Sequence, residues 1–261
     1  QGGWALVGRT GYLWNPVTSV ATAEVTAPGR HEPYTWINMV ATLDGRVTLG
    51  RGRIRTPLGS KLDRILMSRL RVHADAVLQG AGTVRDAGYF PRVPDDLRAQ
   101  RRAAGREEHP LAVVVTRTCD LPFDAPFFRQ VPGRTQILTT SRAMPERVEA
   151  ARAVAEVVVL GEDQVDLAGA MAYLRRERGV AYLLSEGGPS LNHSFFAQGL
   201  ADELFLTVAP RIGGYRADLT AVDGPAVLEP LPELEPVSLY LHERELFLRY
   251  RRIDGSGRGG Q

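Results

Sequence analysis

The sequence contains very little cysteine and almost no lysine. Cys119 is its only cysteine, which excludes a disulfide within the chain and the multi-cysteine zinc site of a zinc deaminase. Lys61 is the only lysine among 32 basic residues, so the other cations are arginines. Arginine stays protonated and binds phosphate or carboxylate bidentately, but it does not form a Schiff base. We therefore do not expect imine chemistry on a lysine.

Long apolar runs, blocks of one charge and paired histidines are also absent. No apolar run approaches the roughly 20 residues that cross a bilayer. The 32 basic and 30 acidic residues leave a net charge of +2, without the basic, aromatic-rich blocks typical of nucleic-acid binding. The five histidines are scattered rather than paired at helical spacing. We expect a globular, cytoplasmic protein that uses no metal ion and binds neither membrane nor nucleic acid.

Strand-like and helix-like segments alternate along most of the chain, which is typical of an α/β sheet with helices on its faces. Helices are predicted at 58–72, 166–178 and 189–198, whereas 92–110 fits either a short exposed helix or a loop. The last two strands flank a short polar connection, which predicts an antiparallel C-terminal hairpin. The predicted strands are 35–41, 75–79, 111–116, 135–140, 156–160, 180–184, 202–208, 237–241 and 245–251.

Composition predicts one domain with two irregular ends. Residues 1–31 contain glycine, threonine and proline without sustained periodicity, and we expect an N-terminal arm there. Residues 254–261 are glycine-rich and polar, which predicts a flexible tail. No linker-like stretch interrupts 32–253, so these residues are predicted to form a single domain.

Two predicted strands run directly into glycines. The first segment, at 75–83, reads D-A-V-L-Q-G-A-G-T, and the second, at 183–191, reads L-L-S-E-G-G-P-S-L. Glycines at a strand end allow a pyrophosphate to approach the backbone, and the amides of a helix N-terminus favour an anion. Either segment alone also fits an ordinary tight turn. The two together favour a dinucleotide-type ligand, with Glu186 facing a different part of the ligand.

Three further strand ends carry polar side chains. Thr116 and Arg117 end the strand V-V-V, and hydroxyls beside an arginine are suited to the 2′-phosphate of NADPH. Thr139 begins a similar Thr-Thr-Ser-Arg run after the next strand. Asp44 lies in the turn T-L-D-G that follows the first strand. Each of these also fits an exposed strand end or a common Asp-Gly turn.

The order of these motifs resembles the reductase domain of bacterial riboflavin biosynthesis, which is related to dihydrofolate reductase. The similarity runs from about residue 34 to residue 250. The motifs are T-L-D-G, L-R-x-x-A-D-A-V-L-x-G-A-G-T-V, V-V-V-T-R, S-E-G-G-P-S-L and G-L-A-D-E-L-x-L-x-x-A-P-R-I-G-G. The resemblance implies a dihydrofolate-reductase-like α/β fold, with a mostly parallel central sheet, an antiparallel C-terminal hairpin and helices on both faces.

The resemblance also implies roles for individual residues and NADPH as the cofactor. Asp44 and Glu186 would be catalytic and would face the substrate heterocycle, together with Asn38, and Arg71 would lie near the sugar phosphate. A homodimer is expected by analogy with the family. The residues that would bind NADPH are Ala41, Thr83, Thr116, Arg117, Thr139, Gly187, Gly188, Pro189, Ser190 and Leu191.

The sequence departs from the family pattern on the substrate side. The family usually has a lysine where this chain has Asn38, and an amide supplies neither a cation nor a proton there. The residues that follow G-A-G-T-V also differ, since the usual A-D-[DN]-P is replaced by the more aromatic segment 85–92. The cofactor is therefore predicted more firmly than the substrate.

These observations predict an NADPH-dependent reductase that transfers a hydride to a phosphoribosyl-aminopyrimidine, as the family's 5-amino-6-(5-phosphoribosylamino)uracil reductase does. Asp44 or Glu186 would assist the accompanying proton, and the sequence does not choose between them. Asn38 and the aromatic segment leave open a dihydrofolate or dihydropterin reductase of the same fold. Loss of the lysine leaves open a non-catalytic NADPH-binding protein.

Overall fold

The structure is a computed structural model that describes residues 30–49, 57–216 and 218–253. Within these ranges the chain forms nine strands and seven helices. The strands are β1 (Tyr34–Thr42), β2 (Ala76–Gly80), β3 (Leu111–Val115), β4 (Thr135–Thr139), β5 (Glu156–Val159), β6 (Tyr182–Ser185), β7 (Glu203–Ala209), β8 (Leu234–His242) and β9 (Glu245–Arg252). The helices are α1 (Lys61–His73), α2 (Ala81–Ala87), α3 (Asp95–Ala103), α4 (Pro126–Arg129), α5 (Pro145–Arg152), α6 (Leu167–Glu177) and α7 (Pro189–Ala197).

All nine strands belong to one sheet, in the order β5-β4-β3-β2-β6-β1-β7-β9-β8. The strands from β5 to β7 in this order pair in parallel. Strand β9 pairs antiparallel with β7, and β8 and β9 form a hairpin. The predicted α/β fold, with a mostly parallel sheet and an antiparallel C-terminal hairpin, is confirmed.

Helices cover both faces of the sheet, as predicted. On one face, Leu66 and Leu70 of α1 pack against the sheet residue Trp36. On the other face, Met171 of α6 and Phe195 of α7 pack in a second apolar cluster. Strands buried on both faces have nearly continuous apolar sequences, which is why L-A-V-V-V and its neighbours were recognisable as strands of a parallel sheet.

The helices that the sequence did not predict are short. Helices α2, α4 and α5 contain seven, four and eight residues, too few for a helical hydrophobic period to stand out. The undecided segment 92–110 contains helix α3. Its one buried residue is Arg101, so apolar periodicity could not reveal which side of this helix faces the protein.

The two predicted ends fall largely outside the described residues. The predicted arm covers 1–31, of which only residues 30 and 31 are described, and the whole predicted tail at 254–261 is not described. Both assignments stay predictions. Among the described residues, no helix is long and apolar enough to cross a membrane.

Candidate active site

A cavity of about 1040 Å³ opens at the carboxyl edge of the sheet. Residues at the carboxyl ends of β2, β3 and β6 and from the middle of β1 line it, as do residues of α1, α2 and α7. Small-molecule sites typically measure roughly 300–1,000 Å³, and ligands of parallel α/β sheets bind at the carboxyl ends of the strands. The cavity is therefore large enough for two ligands side by side.

One half of the cavity, the glycine half, is formed by the two strand–glycine segments predicted from sequence. The Gly80 amide donates to the Gly187 carbonyl at 2.8 Å, which holds the ends of β2 and β6 against each other. Gly187 has a φ of +95°, and a Cβ atom there would lie 3.2 Å from the Met39 sulfur. A side chain at 187 would therefore be strained and crowded, which explains the glycine.

Helix α7 begins immediately beside these glycines. Gly188 is its N-cap and Pro189 its first residue, as the sequence predicted. The first-turn amides of Ser190 and Leu191 have no acceptor within the helix, and both residues line the cavity. Thr83 of α2 lines the same region. This half thus offers backbone amides at the positive end of a helix dipole and nearby hydroxyls, a combination suited to an anion.

Arg117 supplies a cation to the glycine half. It follows β3, lines the cavity and is exposed. Its backbone carbonyl accepts from the Thr140 hydroxyl at 2.9 Å, which ties the end of β3 to the end of β4. A solvent-facing guanidinium in this position is available to a phosphate group of a ligand.

The other half, the polar half, lies beneath helix α1. Arg71 donates to both carboxylate oxygens of Glu186, at 2.5 and 2.7 Å, and the two side chains are only 13% and 6% exposed. Gln79 Nε2 also donates to Glu186, at 2.9 Å. Arg71 reaches the carbonyl of Arg92 at 3.2 Å, so the segment after α2 closes against the same guanidinium. The Glu186 charge is therefore balanced within the cavity wall.

Three polar residues of the polar half come from neighbouring strands of the sheet. Ile37 of β1 and Leu78 of β2 are both in register with Ser185 of β6. The residues that follow these three are Asn38 in β1, Gln79 in β2 and Glu186 directly after β6, and all of them line the cavity. We call them the polar row. The side-chain oxygens of Asn38 and Gln79 are buried and have no hydrogen-bond partner within the described part of the chain.

Asp44 does not line the cavity. Its carboxylate accepts hydrogen bonds from the Thr42 hydroxyl at 2.6 Å and from the amides of Gly213 and Gly214 at 2.9 and 2.8 Å. The Thr42 hydroxyl first, and then these amides, hold the pKa of Asp44 well below its usual range. Asp44 is thus a firmly ionised acceptor, a poor proton donor, and it joins the turn after β1 to the segment after β7.

The two segments that Asp44 joins continue into the wall of the cavity. The Val47 amide donates to the Leu219 carbonyl at 2.8 Å, and the Leu219 amide donates to the Thr48 hydroxyl at 3.0 Å. Val47, Thr48 and Leu219 all line the cavity. Asp44 therefore supports one wall of the cavity from outside.

Three residues predicted to bind the cofactor lie beside the cavity rather than in its lining. Ala41 is buried in β1, and Thr139 is fully buried at the end of β4. Thr116 is also buried, and its hydroxyl accepts from the Cys119 amide at 3.2 Å. The other site residues predicted from sequence, Asp44 apart, line the cavity: Asn38, Arg71, Thr83, Arg117, Glu186, Gly187, Gly188, Pro189, Ser190 and Leu191.

Sequence reasoning missed three residues of the polar half. Asp63 and Met67 line the cavity together with Arg71, four residues apart along α1, and Gln79 completes the polar row. The spacing of four residues places Asp63, Met67 and Arg71 on one face of the helix, and this pattern could have been read from the sequence. Burial raises the pKa of Asp63, and the nearby carboxylate of Glu245 raises it further. Gln79 gave no signal, since it occupies a variable position of its motif.

The architecture and the cavity define a class of protein: an α/β protein that binds its ligands at the carboxyl edge of a parallel sheet. Residues 33–247 match the sequence model of the RibD C-terminal domain, and the chain belongs to that family. The resemblance inferred from the sequence motifs is therefore confirmed.

Individual relatives indicate an enzyme. The chain is 34% identical over 198 residues to 2,5-diamino-6-ribosylamino-4(3H)-pyrimidinone 5′-phosphate reductase of Archaeoglobus fulgidus, covering 76% of this chain and 89% of the relative. The reductase of the same name from Methanothermobacter thermautotrophicus is 35% identical, with coverage of 76% and 87%. This chain is accordingly an oxidoreductase related to the reductases of riboflavin biosynthesis.

A solved structure supports the fold. The pyrimidine reductase-like protein of Corynebacterium diphtheriae superposes with a TM-score of 0.75 at 24% identity. The match covers 89% of this chain and 98% of that protein.

Proposed function

We propose that this protein is an NADPH-dependent reductase that transfers a hydride to the sugar carbon of a phosphoribosyl-aminopyrimidine. One observation carries the proposal: a single cavity joins an anion-binding glycine half to a polar half built around Arg71 and Glu186. The relatives named above reduce a ribosylaminopyrimidine phosphate. A reductase of that kind needs a nucleotide cofactor and a polar heterocycle side by side, which is the arrangement of this cavity.

The glycine half fits NADPH. Gly187, Gly188 and the first-turn amides of α7 would hold the pyrophosphate, with Thr83 as a further donor. Arg117 would hold the 2′-phosphate, since a guanidinium can bind it bidentately. Among the other residues predicted to bind NADPH, Ala41, Thr116 and Thr139 would act by shaping the strand ends behind the cavity lining. When bound, NADPH supplies the hydride.

The polar half fits the pyrimidine and its phosphate. Arg71 would serve the sugar phosphate, and Glu186 would face the heterocycle and assist the proton that accompanies the hydride, directly or through water. We assign Asp44 to supporting the cavity wall, because its carboxylate lies outside the cavity lining, whereas that of Glu186 lines the cavity. Most of the rate enhancement would come from holding the two ligands together and excluding water.

The proposal is tested by measuring NADPH oxidation with the ribosylaminopyrimidine phosphate as substrate, with dihydrofolate as the alternative substrate and NADH as the alternative cofactor. We expect turnover of the pyrimidine with NADPH and little with dihydrofolate. In Arg117→Gln, the dissociation constant of NADPH should rise about tenfold, as the loss of one charge-assisted contact implies, while that of NADH stays constant. Binding of NADPH without oxidation by either substrate would contradict the proposal and favour a non-catalytic protein.

We also propose that the protein acts as a cytoplasmic homodimer, as the family resemblance implies. Light scattering of the purified protein tests the dimer. We expect the mass of two chains, and the mass of one chain would contradict the proposal.

A further inference from the structure

We infer that His109 is a positioning residue for the polar half of the cavity, and that binding of the pyrimidine depends on its neutral ring. The inference rests on the proposed function, because its effect is read from binding of the pyrimidine. His109 lies between α3 and β3, outside the cavity lining. It therefore acts through another group, which is a peptide of the segment that follows α2.

The peptide group that joins Arg92 to Val93 forms a hydrogen bond on each side. Its N–H, which belongs to Val93, donates to His109 Nδ1 at 3.1 Å. Its carbonyl, which belongs to Arg92, accepts from Arg71 Nη1 at 3.2 Å. Because the N–H and C=O of a trans peptide point in opposite directions, this peptide lies between His109 and Arg71. The two hydrogen bonds also polarise the peptide in the same sense, so that each strengthens the other.

The same peptide group holds the part of Arg71 that Glu186 does not hold. Nε and Nη2 of Arg71 donate to the Glu186 carboxylate, whereas Nη1 donates to the Arg92 carbonyl. Contacts on both sides of the planar guanidinium fix its position in the cavity wall. Loss of the Arg92 contact would leave Arg71 held mainly by Glu186 and would release the segment after α2 from the polar half.

His109 can accept this hydrogen bond only while its ring is neutral. With the proton on Nε2, Nδ1 has a free lone pair, whereas a protonated ring would turn a second donor toward the Val93 N–H. The residue is only 9% exposed, and its ring packs edge-on against Phe90 with the ring centroids 6.2 Å apart. Its backbone carbonyl accepts from Arg134 at 3.0 Å, which fixes the backbone that carries the ring. Protonation of His109 would therefore break the hydrogen bond to Val93.

The surroundings of His109 favour the neutral ring. Burial lowers the pKa of His109 below its ordinary value, and the cations of Arg98 and Arg92 lower it further. The Glu108 carboxylate opposes this effect, and Arg101 adds to it. The hydrogen bond is thus intact at neutral pH and breaks as the pH falls through the lowered pKa.

Two substitutions separate the hydrogen bond from the volume of the ring. His109→Asn offers an amide oxygen near the position of Nδ1 and cannot be protonated, whereas His109→Leu removes the acceptor and keeps an apolar side chain. At about pH 8 we expect the KM for the pyrimidine to rise about tenfold in His109→Leu and to stay within about threefold of wild type in His109→Asn. In both variants kcat and the dissociation constant of NADPH should change little, because the contact concerns only the polar half.

The pH profile provides a readout that a purely structural role would not change. As the pH falls from about 8 to about 5, the KM of wild type should rise relative to that of His109→Asn, by about fivefold or more. The ratio of the two values is used because the substrate phosphate itself titrates near about pH 6. Dissociation constants of the pyrimidine, measured by calorimetry without cofactor, should follow the same profile.

His73→Asn is the matched control. His73 ends α1, lies outside the cavity lining and is a second histidine whose pKa is lowered, first by burial and then by Arg106 and Arg101. The same substitution at this position should retain the KM of wild type and its dependence on pH.

Several results would count against the inference. An unchanged KM in His109→Leu would overturn it while the proposed function stands, because Arg71 would then not depend on this peptide group. A constant ratio between wild type and His109→Asn, or a pH dependence that His73→Asn removes instead, would overturn it as well. Equal weakening of NADPH and pyrimidine in His109→Leu would show a general loss of structure rather than positioning. If wild type neither binds nor reduces the pyrimidine, the proposed function fails together with the inference.

Discussion

At the scale of single residues, Asp44 and Glu186 show how surroundings separate two carboxylates at one edge of a sheet. Asp44 is exposed, accepts from the Thr42 hydroxyl and from the amides of two glycines after β7, and lies outside the cavity lining. Glu186 is nearly buried, lines the cavity and is held by Arg71 and Gln79. The sequence motifs could not distinguish them, because T-L-D-G and S-E-G-G both place a carboxylate at a strand end. Their positions relative to the cavity, which depend on how distant segments pack, make the difference.

Substituting each carboxylate by its amide should therefore have different effects. In Glu186→Gln we expect turnover to fall by roughly 10²-fold or more, as loss of a general acid–base group implies, while NADPH still binds. In Asp44→Asn we expect a lower melting temperature and a smaller loss of turnover. Steady-state kinetics, calorimetric binding of NADPH and thermal unfolding measure these effects.

The pH dependence of stability provides a check on Asp44. Its pKa is lowered by folding, so its contribution to stability is fully present above about pH 4 and is lost as the pH falls further. The difference in melting temperature between wild type and Asp44→Asn should accordingly shrink in acid. If instead Asp44→Asn abolished turnover at an unchanged melting temperature, the assignment of Asp44 to the cavity wall would be wrong.

At the scale of elements, helix α1 carries residues of the polar half of the cavity, and a residue outside the cavity fixes the end of this helix. Arg101 of α3 is 1% exposed and donates to the carbonyls of Arg71, Val72 and Ala74, at 2.8, 2.9 and 2.6 Å. Burial lowers its pKa to about 10, so the guanidinium remains charged at neutral pH. A cation at the C-terminus of a helix also complements the helix dipole. Arg101 thus positions the backbone from which Arg71 reaches Glu186.

Removing Arg101 should affect the two halves of the cavity differently. In Arg101→Met we expect the free energy of unfolding to fall by about 3 kcal/mol, because several buried carbonyls lose their donor. The KM for the pyrimidine should rise about tenfold, the equivalent of one weakened contact, whereas the dissociation constant of NADPH should change little. Arg101→Lys keeps a cation and should recover part of both losses. Equal weakening of pyrimidine and NADPH would indicate a general loss of structure instead.

At the scale of the whole molecule, a buried ion pair joins the antiparallel hairpin to the parallel sheet. Arg249 of β9 donates to both carboxylate oxygens of Glu203 of β7, at 2.7 and 2.9 Å, and the two side chains are 3% and 0% exposed. The Tyr34 hydroxyl of β1 donates to the same carboxylate at 2.9 Å. Glu203 begins its strand, so this network lies at the end of the sheet opposite the cavity.

Breaking this pair should therefore reduce stability without altering the chemistry. In Arg249→Met we expect the free energy of unfolding to fall by about 3–5 kcal/mol, because the Glu203 charge stays buried without its main partner. The double variant Glu203→Leu/Arg249→Met removes both charges and should recover much of the loss. Denaturant unfolding measures stability, and kcat per folded molecule should match wild type. A large fall in kcat for the folded variant would show coupling between the two ends of the sheet.

The sequence by itself determined the architecture and most of the glycine half of the cavity. Apolar strands buried on both faces, glycines at two strand ends and a proline at the start of α7 are local signals, and each predicted its element or its position at the sheet edge. The ordered motifs also predicted the family. Such signals can be read from the sequence because they depend on neighbours along the chain, through strand burial, backbone conformation and helix capping.

Only the tertiary structure decided the pairings between distant segments. The register of β1, β6 and β2 places Asn38, Glu186 and Gln79 in one row. The segment after β7 donates a backbone hydrogen bond to Asp44, which holds this carboxylate outside the cavity. The packing of α3 buries Arg101 against the end of α1. Polar side chains have no characteristic period, and their roles depend on which partners the fold brings within hydrogen-bond distance. The glycine half of the cavity could therefore be predicted from sequence, whereas the polar half required the folded chain.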